Sequence, residues 1–271
     1  MKNMKRKIVL ILGLLLLGII GCSSSELMVS SPVKDITIDG NHEDWSGKLK
    51  YYEDERVAVG FQNDDENFYF CLVTSDRATT MKIMTLGLTV WFEPENGEQE
   101  MGLQFPKRME GASARSLLGT GRQKEENTDF EVTVNTMMQY QGEYFLVDED
   151  DKILYAAPLG SSDGFDIKVG AVNRQFVYEA KIPIGNNSLA QFPISIFPNE
   201  NATIRFETGE IDMDEMRRNS GMQQQGMGKG GSGMKGGGQG GRSSMQSGGR
   251  GGSNRMDIER LNFDVEVKLS K

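Results

Sequence analysis

Histidine, cysteine and tryptophan, residue types that often carry chemistry, are scarce in this chain of 271 residues, which has one histidine, two cysteines and two tryptophans. Because His42 is the one histidine, a His-rich metal site is excluded, and a Ser-His-Asp triad would have to use that residue. Two cysteines exclude a disulfide framework and a cysteine-rich zinc module. No pair of nucleophile and base can be identified, so we expect a protein that is not an enzyme. Paired carboxylates of a glycosidase stay open as an alternative, since the chain has 39 Asp and Glu.

Two short acidic runs could offer oxygen ligands to calcium. Asp64-Asp65-Glu66 and Asp148-Glu149-Asp150-Asp151 each fall between two predicted strands. Calcium requires six or more oxygens that converge on one point, and neither run has the spacing of an EF-hand loop. Because aspartate is favoured in turns, we interpret both runs as solvated turns and leave any metal site unassigned.

Trp91 is the side chain best suited to contact a sugar. It lies in the run Leu88–Phe92, in which both alternating faces carry apolar side chains. An indole ring can stack on the C–H groups of a pyranose and exclude water. Packing inside a hydrophobic core is the alternative for such a residue. Trp91 is therefore our candidate ligand-binding residue, and no second aromatic partner is assigned to it.

The beginning of the chain predicts export and a lipid anchor. Four basic residues precede Ile8–Ile20, a run of 13 uncharged Ile, Val, Leu and Gly residues. Such a run is short for a membrane span of about 20 residues but typical of a signal peptide. It ends in Ile19-Ile20-Gly21-Cys22, which resembles the bacterial lipobox. The resemblance implies removal of residues 1–21, acylation of the Cys22 thiol, with palmitate among the fatty acids, and attachment to a membrane.

Two further expectations depend on that resemblance. Ser23 after the cysteine favours sorting to the outer membrane of the bacterial cell envelope, where the protein would face the periplasm or the cell surface. Residues 22–33 would act as a tether between the lipid and the folded domain. The alternative is a signal anchor in which Cys22 plays no part.

If Cys22 is acylated, Cys71 has no disulfide partner, and its apolar neighbours predict a buried, unreactive thiol.

The distribution of charge separates one segment from the rest of the chain. The net charge is −9, yet residues 217–255 contain seven Lys or Arg and no Asp or Glu. The folded domain is therefore strongly acidic, so nucleic acid is not expected among its partners.

The composition of residues 217–255 predicts a disordered insertion. The segment holds 15 of the 33 glycines and no Val, Ile, Leu or aromatic residue. It cannot bury enough apolar surface to offset its ordering entropy. Its basic residues could contact an envelope protein partner or an anionic surface. Its methionines could alternatively bind Cu(I).

The remainder of the chain predicts an all-β fold, with one short helix candidate at Gly111–Asn127. Short β-type runs bounded by Gly, Asn and Asp indicate an antiparallel two-sheet β-sandwich over residues 34–216. Alternating apolar residues predict a closing strand in residues 256–271, after the insertion. The predicted strands are Arg56–Phe61, Asn67–Thr74, Thr85–Phe92, Phe130–Thr136, Glu143–Val147, Lys152–Ala157, Phe165–Val172, Phe176–Ile182, Thr203–Glu207 and Ile258–Leu269.

Several short motifs resemble the family 9 carbohydrate-binding modules and their DOMON-like relatives. Ile36-Thr37-Ile38-Asp39-Gly40 with Asp44-Trp45 is similar to the opening of these domains, and Asp64–Phe70 to the acidic turn and aromatic strand that follow. Ala180–Ile184 matches their late strand with an Ile-Pro corner, and Gly87–Pro94 resembles a segment of bacterial lipoproteins in the same superfamily. The resemblance implies a β-sandwich, a glycan bound by aromatic and polar contacts, a tryptophan packed under the first strand and, often, structural calcium.

Together these observations predict a non-catalytic, membrane-anchored lipoprotein whose sandwich binds carbohydrate. One alternative is an envelope interaction or assembly lipoprotein that keeps the fold without sugar binding. Another is a haem-binding DOMON-type domain, in which Met81 or Met84 would have to serve with His42 as axial ligands. Apart from possible structural calcium, no cofactor is expected.

Overall fold

The computed structural model describes residues 27–33, 36–109, 129–185, 187–188, 190–210 and 260–271. Four predicted features lie outside the described residues. They are the signal peptide, the acylated Cys22, the helix candidate at Gly111–Asn127 and the insertion at 217–255.

Two β-sheets pack face to face, which confirms the predicted sandwich. One sheet has seven strands in the order β1-β13-β12-β6-β7-β8-β9, and the other has six, with β10-β11-β5-β4-β2 in sequence and β3 paired to β4. The strands are β1 (Met28–Val29), β2 (Ser31–Pro32), β3 (Lys50–Tyr52), β4 (Val57–Asn63), β5 (Asn67–Thr74), β6 (Leu88–Pro94), β7 (Met101–Gln104), β8 (Glu143–Val147), β9 (Ile153–Pro158), β10 (Asp166–Val172), β11 (Gln175–Pro183), β12 (Asn201–Thr208) and β13 (Asn262–Lys268).

The pairing is antiparallel except at two short edges. There, β1 runs parallel to β13, and β2 runs parallel to β4. Both edge strands lie within residues 22–33, which the sequence analysis assigned to a tether. Part of that stretch is therefore hydrogen-bonded into the two sheets.

The main core lies between the sheets and follows the two-residue period of the strands. In β5, Phe68, Phe70 and Leu72 point into this core and are fully buried. The ring of Phe70 stacks on that of Tyr178 in β11, with centroids 5.4 Å apart. The closing strand is confirmed as β13, because Val265 and Val267 enter the same core and the strand pairs with both β12 and β1.

The outer face of the six-stranded sheet is covered by chain that precedes β3; we call it the sealed face. Tyr69, Cys71 and Val73 of β5 point to this side and pack with Trp45, which belongs to a 3₁₀ turn at Glu43–Trp45. The predicted burial of Cys71 is confirmed. Burial raises the pKa of its thiol, and nearby Glu179 raises it further, so the thiol stays protonated and unreactive.

One predicted strand is wrong, because residues Phe130–Met138 form a helix, here called α2. The alternation of apolar residues in Phe130–Thr136 had predicted a strand. The buried positions Val134 and Met137 instead follow a helical period, and Val132 is exposed. Asp129 caps the helix by accepting a hydrogen bond from the Glu131 N–H.

A second helix, α1 at Arg77–Leu86, was not predicted. Its sequence contains three threonines and only short apolar groups of residues, so it gives no long helical stripe. The Asp76 carboxylate caps it by accepting from the Thr79 N–H at 2.8 Å. The predicted strand Thr85–Phe92 therefore begins later, at Leu88, because Thr85 belongs to the helix. Neither helix in the described part of the chain has the length and hydropathy that a membrane-spanning helix requires.

Candidate functional site

The outer face of the seven-stranded sheet carries a groove at its centre. Register places Trp91 of β6 opposite Arg205 of β12 on one side and Gly102 of β7 on the other. The next outward row contains Thr89, with Glu207 and Gln104 as its neighbours. These side chains share one face because each row lies two residues from the next.

The groove, defined by these two rows and by residues at their ends, has a volume of about 630 Å³. Ligand pockets in proteins commonly have volumes of about 300–1,000 Å³. Glu149 and Asp151, from the turn after β8, line the end near Trp91 that we call the acidic end. Arg108, Glu210 and Arg260 line the opposite end.

Trp91 lies against the backbone of Gly102, and this glycine is required by the close approach. A Cβ at position 102 would come within 2.8 Å of the Trp91 ring and of the Thr89 and Val147 methyl groups. Trp91 also packs with Phe145 and Val147, and only 5% of it is exposed.

The structure therefore places Trp91 in a groove wall rather than on an open platform. The Arg205 guanidinium lies over its ring at 5.5 Å from the centroid, in a cation–π contact. Stacking of a sugar on the indole ring would require Arg205 to move.

A chain of ion pairs includes several of the side chains that line the groove. Arg205 is paired with Glu100 and lies 3.8 Å from a Glu207 oxygen. Arg260 binds the other Glu207 oxygen at 2.8 Å and Glu210 at 3.1 Å. Partly exposed pairs of this kind add little stability, so their main effect is to hold donors and acceptors in fixed positions.

Carboxylates outnumber cations near Glu100. Burial raises the pKa of Glu100, Arg205 lowers it, and the negative charges of Glu93, Glu149 and Glu207 raise it again, so that the net shift is upward. The region around Glu100 is therefore short of positive charge.

Two buried donors on the groove wall lack a hydrogen-bond partner among the described residues. They are the indole Nε1 of Trp91 and the Nε of Arg205. Buried polar groups in folded proteins are nearly always satisfied, so each exception needs an explanation. The Arg205 Nε still lies 3.8 Å from a Glu207 oxygen, whereas the Trp91 N–H has no described acceptor.

The haem alternative is not supported by the placement of its candidate ligands. Met84 is fully buried in the main core and Met81 packs against that core, whereas His42 lies three residues before Trp45 in the segment that covers the sealed face. The six-stranded sheet separates the histidine from the two methionines, so they do not form an axial pair.

Both acidic runs are turns in the structure, as interpreted from the sequence. One Asp64 oxygen accepts hydrogen bonds from the N–H groups of Glu66 and Asn67 at 2.8 and 2.7 Å. One Asp148 oxygen accepts from the N–H groups of Asp150 and Lys152 at 3.1 and 2.9 Å. Within the described ranges, no group of three or more His, Cys, Asp or Glu is arranged to hold a metal ion.

Comparison with known proteins gave structural matches but no sequence matches. No family model matches the chain, and no curated protein is similar to it in sequence. Two solved structures of a family 9 carbohydrate-binding module from Caldicellulosiruptor kristjanssonii are similar to its fold. The complex with glucose has 11% identity and a TM-score of 0.34 over 70% of this chain and 81% of the module. The complex with cellotriose has 10% identity and a TM-score of 0.32 over 70% and 79%.

Trp91 was a candidate site residue from the sequence, but its neighbours in the groove were not. Arg205 and Glu207 alternate with buried residues in β12, a pattern that marks an outward face but not which sheet it belongs to. The sequence around Gly102 does not show why a glycine is needed there. The need arises from the close approach of the Trp91 ring, which belongs to another strand.

Proposed function

We propose that this protein is a non-catalytic carbohydrate-binding module and that the groove on the seven-stranded sheet is its binding site. The observation that carries the proposal is the unsatisfied indole N–H of Trp91 in the wall of a polar groove of about 630 Å³. A buried donor without a partner loses about 1–3 kcal/mol, which a ligand oxygen would recover.

The groove chemistry suits a polyhydroxylated ligand. A sugar hydroxyl donates one hydrogen bond and accepts others, so it can meet a donor and an acceptor at the same time. The ion pairs of Arg205 and Arg260 with Glu207 present both kinds of group at fixed spacing. Gln104 and Thr89 add an amide and a hydroxyl along the next row.

A glycan array on a soluble protein that begins at Ser23 tests the proposal. We expect binding to at least one oligosaccharide class, reduced by Trp91→Phe, which keeps an aromatic ring but removes the N–H. A matched control is Trp45→Phe, which changes the other tryptophan on the far side of the sandwich. No binding to any glycan, or equal binding by wild type and Trp91→Phe, would contradict the proposal.

We also propose that the module is held at the bacterial cell envelope, and most specifically at the outer membrane, through acylated Cys22. The support is the leader that ends in Ile19-Ile20-Gly21-Cys22. Wild-type protein should incorporate labelled fatty acid and partition into detergent, and Cys22→Ala should do neither. Unchanged labelling of Cys22→Ala would contradict the anchor without affecting the groove.

A further inference from the structure

The two ends of the groove differ in charge, and the difference bears on which sugars it can hold. At the acidic end, Glu149 and Asp151 contribute two carboxylates. Neither makes a side-chain hydrogen bond or ion pair with another residue in the described part of the chain. The far end combines Arg108 and Arg260 with Glu210.

Arg205, the lining arginine that lies opposite Trp91, is already neutralised. Arg205 is bound between Glu100 and Glu207, and its guanidinium also covers Trp91. Glu149 adds to the negative charge that acts on Glu100. Among the residues that line this end, the remaining charge is therefore negative, and a negatively charged ligand would be repelled there.

We infer that the sugar bound in the groove carries a positively charged amino group, held at the acidic end by the carboxylates of Glu149 and Asp151. This inference rests on the proposed carbohydrate-binding function and names the class of sugar. The ammonium would supply the positive charge that the acidic end lacks, and a neighbouring hydroxyl or ring oxygen would accept from the unsatisfied Trp91 Nε1.

The second observation is independent of the acidic residues. Only 5% of Trp91 is exposed, and its N–H has no hydrogen-bond partner among the residues that the structure describes. A simple metal cation would pair with the carboxylates but leave this donor unsatisfied. An amino sugar carries both a cation and acceptor oxygens on one ring, so it meets both requirements together.

The test compares oligosaccharides of equal length that differ in charge. Soluble protein beginning at Ser23 would be titrated calorimetrically with glucosamine oligomers, N-acetylglucosamine oligomers, cello-oligosaccharides and oligogalacturonates, in mildly acidic buffer where the amine is charged. We expect the glucosamine oligomer to bind most tightly, with an affinity that falls as salt is added. The oligogalacturonate should bind weakest.

A double variant, Glu149→Gln with Asp151→Asn, removes the two charges while keeping their shape. Asp151 has φ of 59°, which asparagine also adopts readily. We expect a loss of roughly fivefold or more for the glucosamine oligomer and little change for the N-acetylated one. The matched control is Glu53→Gln with Asp54→Asn, an exposed acidic pair in the turn between β3 and β4 of the other sheet.

The outcomes separate the inference from the function on which it depends. If cello-oligosaccharides or oligogalacturonates bind as tightly as glucosamine oligomers, and Trp91→Phe weakens that binding, the carbohydrate site stands and the amino-sugar inference is wrong. The inference is equally wrong if the double variant binds glucosamine oligomers as wild type does. If none of the four probes binds, the amino-sugar inference is wrong, and the glycan array decides separately whether the carbohydrate proposal also fails.

Discussion

The two tryptophans lie on opposite outer faces of the sandwich, and they differ in how their indole N–H groups are satisfied. On the sealed face, Trp45 donates to a Glu179 oxygen at 2.7 Å, and the other oxygen of that carboxylate accepts from the Gly40 and Asp39 N–H groups at 2.7 and 3.1 Å. In the groove, the Trp91 N–H has no partner among the described residues.

The comparison distinguishes a tryptophan whose N–H is satisfied within the fold from one whose N–H has no described partner. Both are at least 95% buried, with Trp45 at 0% and Trp91 at 5% exposed. Burial alone therefore does not separate them. The two residues are separated by the hydrogen bonding of their N–H groups. A satisfied N–H has no hydrogen bond left to give a ligand, whereas an unsatisfied N–H costs free energy until a ligand pairs with it.

The largest expected effect concerns the carboxylate beneath the sealed face. Glu179→Ala leaves three N–H donors without their acceptor, and each unsatisfied buried group costs about 1–3 kcal/mol. We expect a loss of about 3 kcal/mol or more in the free energy of unfolding, measured with urea. Glu207→Ala, which removes a partly exposed groove carboxylate, should cost less than about 1 kcal/mol. Similar losses in the two variants would remove the distinction between the faces.

A smaller loss is expected when the glycine beneath Trp91 gains a side chain. Gly102→Ala places a methyl group 2.8 Å from the Trp91 ring, so the ring must move outward. Overpacking of this kind costs about 1–3 kcal/mol. The displaced indole should also shift its fluorescence maximum and weaken binding in the groove.

The control for Gly102 is Gly142→Ala, because a Cβ at that exposed position meets no atom within 4 Å. Its stability and fluorescence should match those of wild type. If Gly102→Ala also behaves like wild type, the ring does not depend on this glycine and the described groove wall is wrong.

Replacing each tryptophan by phenylalanine isolates the indole N–H. Both changes remove the same volume, but Trp45→Phe also leaves a Glu179 oxygen without its donor. We expect Trp45→Phe to be less stable than Trp91→Phe by about 1–2 kcal/mol, by thermal and urea denaturation. Binding should show the reverse order, with only Trp91→Phe weakened. Equal stability together with equal binding would show that the two indoles are equivalent.

Much of the fold could be predicted because strand alternation is a local signal. The pattern in Asn67–Thr74 and Glu143–Val147 gave both strands with their observed bounds. The predicted strand Phe130–Thr136 was wrong because three alternating apolar residues fit a strand, while the contacts of Val134 and Met137 that select the helix are tertiary. Capping by Asp76 and Asp129 was the available signal for both helices.

The groove was harder to predict because it is assembled across strands. Trp91, Gly102 and Arg205 are adjacent only after β6, β7 and β12 are placed in register. A sequence gives the alternation within each strand but not the order of strands in a sheet. The same limit explains why the charge of the groove could not be predicted from the charge of the chain.

The last prediction compares how accessible the two outer faces are to a thiol reagent. The variant used should have nearly the stability of wild type. Cys71 belongs to the sealed face and is fully buried, and burial raises the pKa of its thiol. Thr89→Cys would place a second thiol in the groove, where the threonine is only partly buried. In soluble protein beginning at Ser23, a thiol reagent should label wild type only after unfolding and the variant once in the native state. A bound oligosaccharide should slow that labelling, and rapid native labelling of Cys71 would mean that the sealed face opens.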